Sequence, residues 1–253
     1  VKPLRISPSS FDLFFKCSQQ YKWAVIDEIL PEEGSDNLYA VLGSSFHKIM
    51  ELHDRFSFNH EKLKLFWEPI FFMYYSDAKN LPKDTDFNAF VKKGYVLLDN
   101  AIKLKKRWEN LKVLQNECYF RIEFPNQYIK AWISGKIDLI LHDPAENIYT
   151  VLDWKTSANV DKEVEKNNQL LFYLYYIINT YHVSYDKVWG CLAYPSSEKL
   201  LFTQRTETDV AELFKKITLM IKRISEDDFK KDPMFNFCPD DCHFCPYKNK
   251  CQN

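Results

Sequence analysis

The stretch GKIDLILHDPAENIYTVLDWKTS, residues 135–157, constrains the fold more than any other part of the chain. Two runs rich in β-branched and aromatic residues flank DPAEN, a cluster of turn formers, so the stretch reads as two strands joined by a tight turn. Residues i and i+2 of a strand face the same side, which puts Asp153 and Lys155 together and turns Trp154 away. Paired as a hairpin, the strands bring Asp138 towards Asp153. CYFRIEF (118–124) reads as a strand before them, and KVWGCLAYP (187–195) and KLLFTQRT (199–206) as two more paired across SSE.

Helical patterns fill the rest. SPSSFDLFFKCSQQYKWAVI (7–26) opens on an N-cap signal, and DNLYAVLGSSFHKIMELHDRF (36–56) has apolar residues along one side. A charged helical stretch from about Glu61 to Val113 breaks near Pro82 and reads as an insertion. VDKEVEKNNQLLFYLYYIINTYH (160–182) has the length and period of a mostly buried helix. TDVAELFKKITLMIKRISEDDF (208–229) reads as an amphipathic helix capped at Thr208 or Asp209. Helices, three strands, helix, two strands and helix make a mixed α/β sheet with helices packed against it.

Composition excludes more than it selects. The longest apolar run, LLFYLYYII, is about half the ~18 residues of a membrane span, so no membrane association is expected. VKPLRISPSS has no apolar signal core, so nothing argues for secretion, and a cytoplasmic location is the expectation. A formal net charge of −1 announces no polyanion partner, although a local groove matters more than the sum. Seven cysteines, an odd number, argue against a disulfide framework and leave metal for the crowded tail CPDDCHFCPYKNKC (238–251). By spacing, Cys238, Cys242, Cys245 and Cys251 suit one Zn²⁺ site, with His243 a substitute ligand. Cys118 and Cys191 fall in strands and read as core residues.

Two carboxylates and a lysine at a sheet end make a hard oxygen site beside a fixed positive charge, which suits Mg²⁺ or Mn²⁺. Such a metal lowers the pKa of a bound water and polarises a phosphodiester, while the lysine orients that water or stabilises developing charge. A solvated surface hairpin would show the same residues, so the pattern alone does not decide. Two helical pairs add to it. Gly43 and His47 are i,i+4, so an imidazole projects beside a small residue. Gln169 and Tyr173 are i,i+4 on the helix after Lys155, where a buried Gln needs a hydrogen-bond partner.

The order GxxxH (Gly43–His47), GxxD (Gly135–Asp138), DxK (Asp153–Lys155) and QxxxY (Gln169–Tyr173) resembles the RecB-type branch of the PD-(D/E)XK nuclease superfamily. ISPSSFDLFFKCSQQYKW is similar to that branch's N-terminal segment, except that Ser18 follows Cys17 where Pro is usual. The likeness spans residues 6–251. It implies a restriction-endonuclease-like α/β fold: a mixed central sheet flanked by helices, a helical insertion and a Cys-rich metal-cluster tail. It implies a single nuclease domain over 1–253, comprising an N-terminal helix (1–36), the insertion (56–114), a catalytic sheet and helix (115–206) and a C-terminal helix with the cysteines (207–253).

The resemblance implies that His47, Asp138 and Asp153 ligate the catalytic Mg²⁺ or Mn²⁺, with the Trp154 carbonyl a further ligand. Lys155 would be the catalytic lysine, and Gln169 and Tyr173 would support the site and contact DNA. The family's acidic residue on the preceding strand maps to Glu123. A [4Fe–4S] cluster is implied on Cys17, Cys242, Cys245 and Cys251, leaving Cys238 spare. The implied activity is exonuclease cleavage at single-stranded DNA ends, in recombination or repair, phage DNA metabolism or CRISPR spacer processing. For a viral protein the location becomes host cytoplasm or nucleoid. No GxxxxGK[ST] is present, so any unwinding falls to a partner, and a helicase or integrase is the partner expected. KLKKRW (103–108) and Lys48 are candidate phosphate contacts, with aromatics of the helical region as stacking platforms. The competing reading is a non-catalytic DNA-binding scaffold for such a partner.

Overall fold

The structure, a computed structural model, describes residues 3–30, 38–78, 81, 86–160, 162–229 and 245–251. In chain order the elements are β1 (Leu4–Ile6), α1 (Pro8–Lys16), α2 (Ser18–Tyr21), α3 (Leu38–Phe56), α4 (His60–Asp77), α5 (Phe87–Lys105), β2 (Lys112–Phe124) and β3 (Ala131–Asp143). There follow β4 (Ile148–Trp154), α6 (Asn168–Tyr181), β5 (Val188–Tyr194), β6 (Lys199–Thr203), α7 (Glu207–Ser225) and α8 (Lys248–Cys251). The sheet is mixed, in the order β1-β3-β4-β5-β6 with β2 also on β3. β1 runs parallel to β3, β4 antiparallel to β3, β5 parallel to β4 and β6 antiparallel to β5. The parallel β4–β5 pair needs a crossover, and α6 supplies it. No helix among the described residues is long and apolar enough to cross a membrane.

The chain divides into two compact units. One comprises Val1–Ser35, Tyr119–Gly135 and Thr206–Asn253. Here Ser7 caps α1 in a reciprocal capping box with Ser10, with Pro8 in the first turn where its missing N–H costs nothing. Phe11, Phe14 and Tyr21 are fully buried. Arg223 of α7 lies 5.5 Å from the Phe14 ring centre and bonds Asp228. The cap of α7 is Thr206, not Thr208 or Asp209: Asp209 sits at the third helical position and returns the bond to the Thr206 N–H. Strand β1 was not anticipated; three residues ahead of a proline are too few to show a period.

The other unit, Asp36–Cys118 and Lys136–Arg205, holds the largest apolar cluster. Phe46 of α3 and Trp108 pack against Trp154 of β4, each with ring centres 5.9 Å apart. Asn59 and Asp86 cap α4 and α5, so the expected insertion is a helix pair; Pro82 lies outside the described residues. Cys118 and Cys191 are buried. The helix expected over 160–182 starts only at Asn168. The side chain of Asn167 accepts the Leu170 N–H and caps it, whereas the charged residues upstream offer no apolar face to bury.

Candidate active site

The site lies within the second unit, where the middle of β3 and the C-terminal end of β4 meet α3 and α6. The β3–β4 register pairs Leu139 with Leu152, one step from Asp138 and Asp153. Both carboxylates are buried. Asp138 is held from two sides: Oδ2 accepts the Trp154 N–H at 2.8 Å, and Oδ1 lies 3.1 Å from His47 Nδ1. Trp154 itself turns into the core, as strand alternation requires.

Asp153, Lys155, Gln169 and Tyr173 form one closed network. Lys155 Nζ donates to Gln169 Oε1 at 2.6 Å and forms an ion pair with Asp153 Oδ2 at 2.7 Å. Gln169 Nε2 donates to Asp153 Oδ1 and to Tyr173 Oη, both at 2.7 Å. Tyr173 Oη in turn donates to the Lys136 carbonyl at 2.6 Å. The amide of Gln169 can face only one way: its nitrogen meets two acceptors and its oxygen an ammonium. These residues, with His47, Thr156 and Ser157, line a pocket of about 280 Å³.

Electrostatics mark the same groups. Burial raises the Asp153 carboxyl above the usual carboxylate range, the Asp138 charge adds to this, and Lys155 and His47 only partly oppose it. Burial works against the charge of His47, but Asp138 and then Asp153 outweigh it, so His47 is held above its ordinary value. For Lys155 burial likewise opposes and Asp153 prevails, so the ammonium stays charged. Burial, helped by Asp153, raises the Tyr173 phenol and keeps it a donor.

Among the described residues one group of three ligand atoms lies within 4.8 Å of one another: His47, Glu117 and Asp138. Sequence reasoning missed Glu117 and chose Glu123, which belongs to the other unit and lines a shallow pocket with Phe124–Ala131. Glu117 sits at φ 53°, a left-handed conformation that a non-glycine residue adopts only under constraint. Asn116, whose side chain donates to the Glu51 carbonyl at 3.0 Å, anchors this kink to α3, and Lys136 Nζ pairs with the Glu117 carboxylate. An imidazole nitrogen and two carboxylates fit a hard divalent cation, and Lys155 and His47 offset only in part what burial and Asp138 impose on Asp153.

Other expectations fare differently. Gly43 faces Thr156, but a Cβ there would lie 3.5 Å from Oγ1, an ordinary contact. Lys48 pairs with Glu51, Lys103 with Glu198 and Lys105 with Asp54, and Trp108 is buried, so much of the basic run is engaged within the fold. Cys238 and Cys242 lie outside the described residues.

The family model of the PD-(D/E)XK nuclease superfamily matches residues 5–252, and the chain belongs to that superfamily. Membership, with the mixed sheet of the restriction-endonuclease-like fold, implies a metal-dependent nuclease acting on nucleic acid. No curated protein matches the sequence at a significant level. Among solved structures, the crystal structure of SSO0001 is similar over 98% of this chain and 86% of that one, with 14% identity and a TM-score of 0.41. That likeness is too distant to build on.

Proposed function

We propose that the chain is a Mg²⁺- or Mn²⁺-dependent exonuclease of the RecB-like, iron–sulfur branch, hydrolysing phosphodiester bonds at single-stranded DNA ends. The observation that carries this reading is one pocket that joins His47 and Asp138 to the Asp153–Lys155–Gln169–Tyr173 network. His47, Asp138, Asp153 and the Trp154 carbonyl would hold the metal, and Glu117, by its position, joins them. Bound there, the metal would activate a water and polarise the scissile phosphate. Lys155, held charged between Asp153 and Gln169, orients the attacking water and stabilises charge that develops on the phosphate. Gln169 and Tyr173 keep that ammonium in place and touch the DNA.

Recombination or repair, phage DNA metabolism and CRISPR spacer processing all call for such an activity, with a helicase or integrase as partner. Labelled single strands incubated with Mn²⁺ test it: wild type should degrade linear strands and spare circles, and Lys155→Ala should degrade neither. Cleavage of circles would overturn the exonuclease assignment, and no cleavage by either protein would favour a binding scaffold. Titration calorimetry with Mn²⁺ checks the added ligand: Glu117→Gln should bind about 10-fold more weakly or worse.

For the cluster we infer ligation by Cys17, Cys242, Cys245 and Cys251. Support comes from the first unit, where Tyr247, between Cys245 and Cys251, donates to the Ile29 carbonyl at 2.9 Å and packs on Trp23. The segment after Cys17 and the described end of the tail are therefore packed together. Protein purified without oxygen should be brown, as should Cys238→Ser, while Cys17→Ser should lose colour. A colourless, zinc-loaded wild type would favour the local Zn²⁺ site instead.

A further inference from the structure

The first unit carries a basic and aromatic cluster that the chemistry above does not use. Pro3, Arg5, Tyr119, Arg121, Trp132 and Ser134 line a pocket of about 450 Å³, within the ~300–1,000 Å³ of ligand sites. Strand geometry assembles it. Arg5 is the cross-strand partner of Trp132 in the β1–β3 ladder, so both stand on one face. Along β2, exposed Tyr119 and Arg121 alternate with buried Phe120.

The Arg121 guanidinium lies 4.0 Å from the Trp132 ring centre and Lys130 Nζ lies 5.4 Å from it. Arg5 Nε donates to Ser134 Oγ at 2.8 Å. Among the described residues, Arg5, Arg121 and Lys130 form no ion pair, and Trp132 Nε1 has no hydrogen-bond partner. Tyr119 is 72% exposed. A lone cation over an indole is common on protein surfaces. Here, however, three cations that form no ion pair among the described residues gather around the Trp132 ring, two of them lining an open pocket beside an exposed phenol ring. Exposed Glu123, two residues on from Arg121, sets a single carboxylate against them. Their charge complements phosphate, and their flat faces complement bases.

We propose that this face is a base-stacking subsite for single-stranded DNA, a choice of ligand that rests on the nuclease reading. Tyr119 and the guanidinium plane of Arg121, backed by the Trp132 ring, receive the faces of about one or two bases. Arg5 and Lys130 receive the flanking phosphates, which carry no sequence information, so the subsite is tolerant of sequence.

The test is fluorescence anisotropy of the full chain with a fluorescein-labelled oligothymidylate of about 15 nucleotides, in EDTA so that no cleavage intervenes. Tyr119→Ala and Arg121→Glu should each weaken binding about 5- to 100-fold. Arg121→Gln should flatten the dependence of log affinity on log salt by about 0.7. Tyr119→Ala removes an exposed ring, so its unchanged thermal unfolding would separate lost binding from lost fold. Wild-type affinity in both Tyr119→Ala and Arg121→Glu overturns the subsite and leaves the nuclease reading standing. Binding that depends on these residues in a chain that cleaves nothing sinks the nuclease reading and keeps the subsite.

Discussion

Lys155→Ala is expected to lower single-strand cleavage by about 10²–10³-fold or more and, in EDTA, to cost several kcal/mol of stability, on the order of 3–5. The second effect follows from burial. Asp153 is 2% exposed and its Oδ2 has the Lys155 ammonium at 2.7 Å, so removing the lysine leaves a buried carboxylate with Gln169 as its remaining side-chain partner among the described residues. Replacing both charges, as Asp153→Leu with Lys155→Met, should recover most of the stability while cleavage stays absent. The pH dependence has a definite sign. The Asp153 carboxyl is already raised in the fold by burial and by Asp138, and loss of Lys155 raises it further. Between its unfolded and folded pKa values the folded state then binds more protons, so stability falls as pH rises through that window. Urea unfolding should therefore show the deficit of Lys155→Ala narrowing towards acid. A variant that cleaves and unfolds like wild type would make Lys155 an ordinary surface charge.

Gly94→Ala should destabilise the protein by about 3 kcal/mol or leave it insoluble, although the same change in an open helix gains about 1 kcal/mol. A Cβ on Gly94 of α5 would overlap Cζ2 and Cε2 of the Trp67 indole and lie 2.7 Å from Cη2. The ring has nowhere to go. Trp67 is fully buried in α4, its Nε1 donates to the Val91 carbonyl at 2.9 Å, and Phe71 packs on it with ring centres 5.5 Å apart. Gly43→Ala is the matched control, because its Cβ meets Thr156 at an ordinary distance and the helix propensity gain should stand. Pairing Gly94→Ala with Trp67→Leu should restore part of the loss, since the clashing atoms are gone. Thermal unfolding of the three variants reads the difference, and an undiminished midpoint for Gly94→Ala would refute the close packing of α4 on α5.

Strand period and helix period made most of the second unit's site legible. Asp153 and Lys155 share a face by alternation, Asp138 meets them through a tight hairpin, and Gln169 reaches Tyr173 one turn on. Glu117 was not legible because the strand was read only from Cys118, which left Glu123 as its one acid, whereas β2 begins at Lys112 and carries Glu117 on a left-handed residue that no strand pattern announces. One signal was available. A connection of residues 125–130 between β2 and β3 is too short for a crossover, so the strands form a hairpin. Counting back equally from it sets position 117 beside 138 and position 123 beside Trp132. The start of α6 and the cap of α7 were misplaced because several polar residues near each start compete, and the winner is the one whose side chain reaches a free N–H. The basic run 103–108 misled because charge in sequence says nothing about partners, and folding supplied Asp54 and Glu198.

The wiring around Gln169 narrows what evolution could write at that position. Its amide gives two hydrogens to Asp153 and Tyr173 and takes one from Lys155. Glutamate has the reach but no hydrogens to give; lysine and arginine have hydrogens but no oxygen; asparagine has both and is one methylene short. No single-residue step away from glutamine preserves all three links, so a lineage that kept this arrangement would hold position 169 fixed while the surface around it drifted.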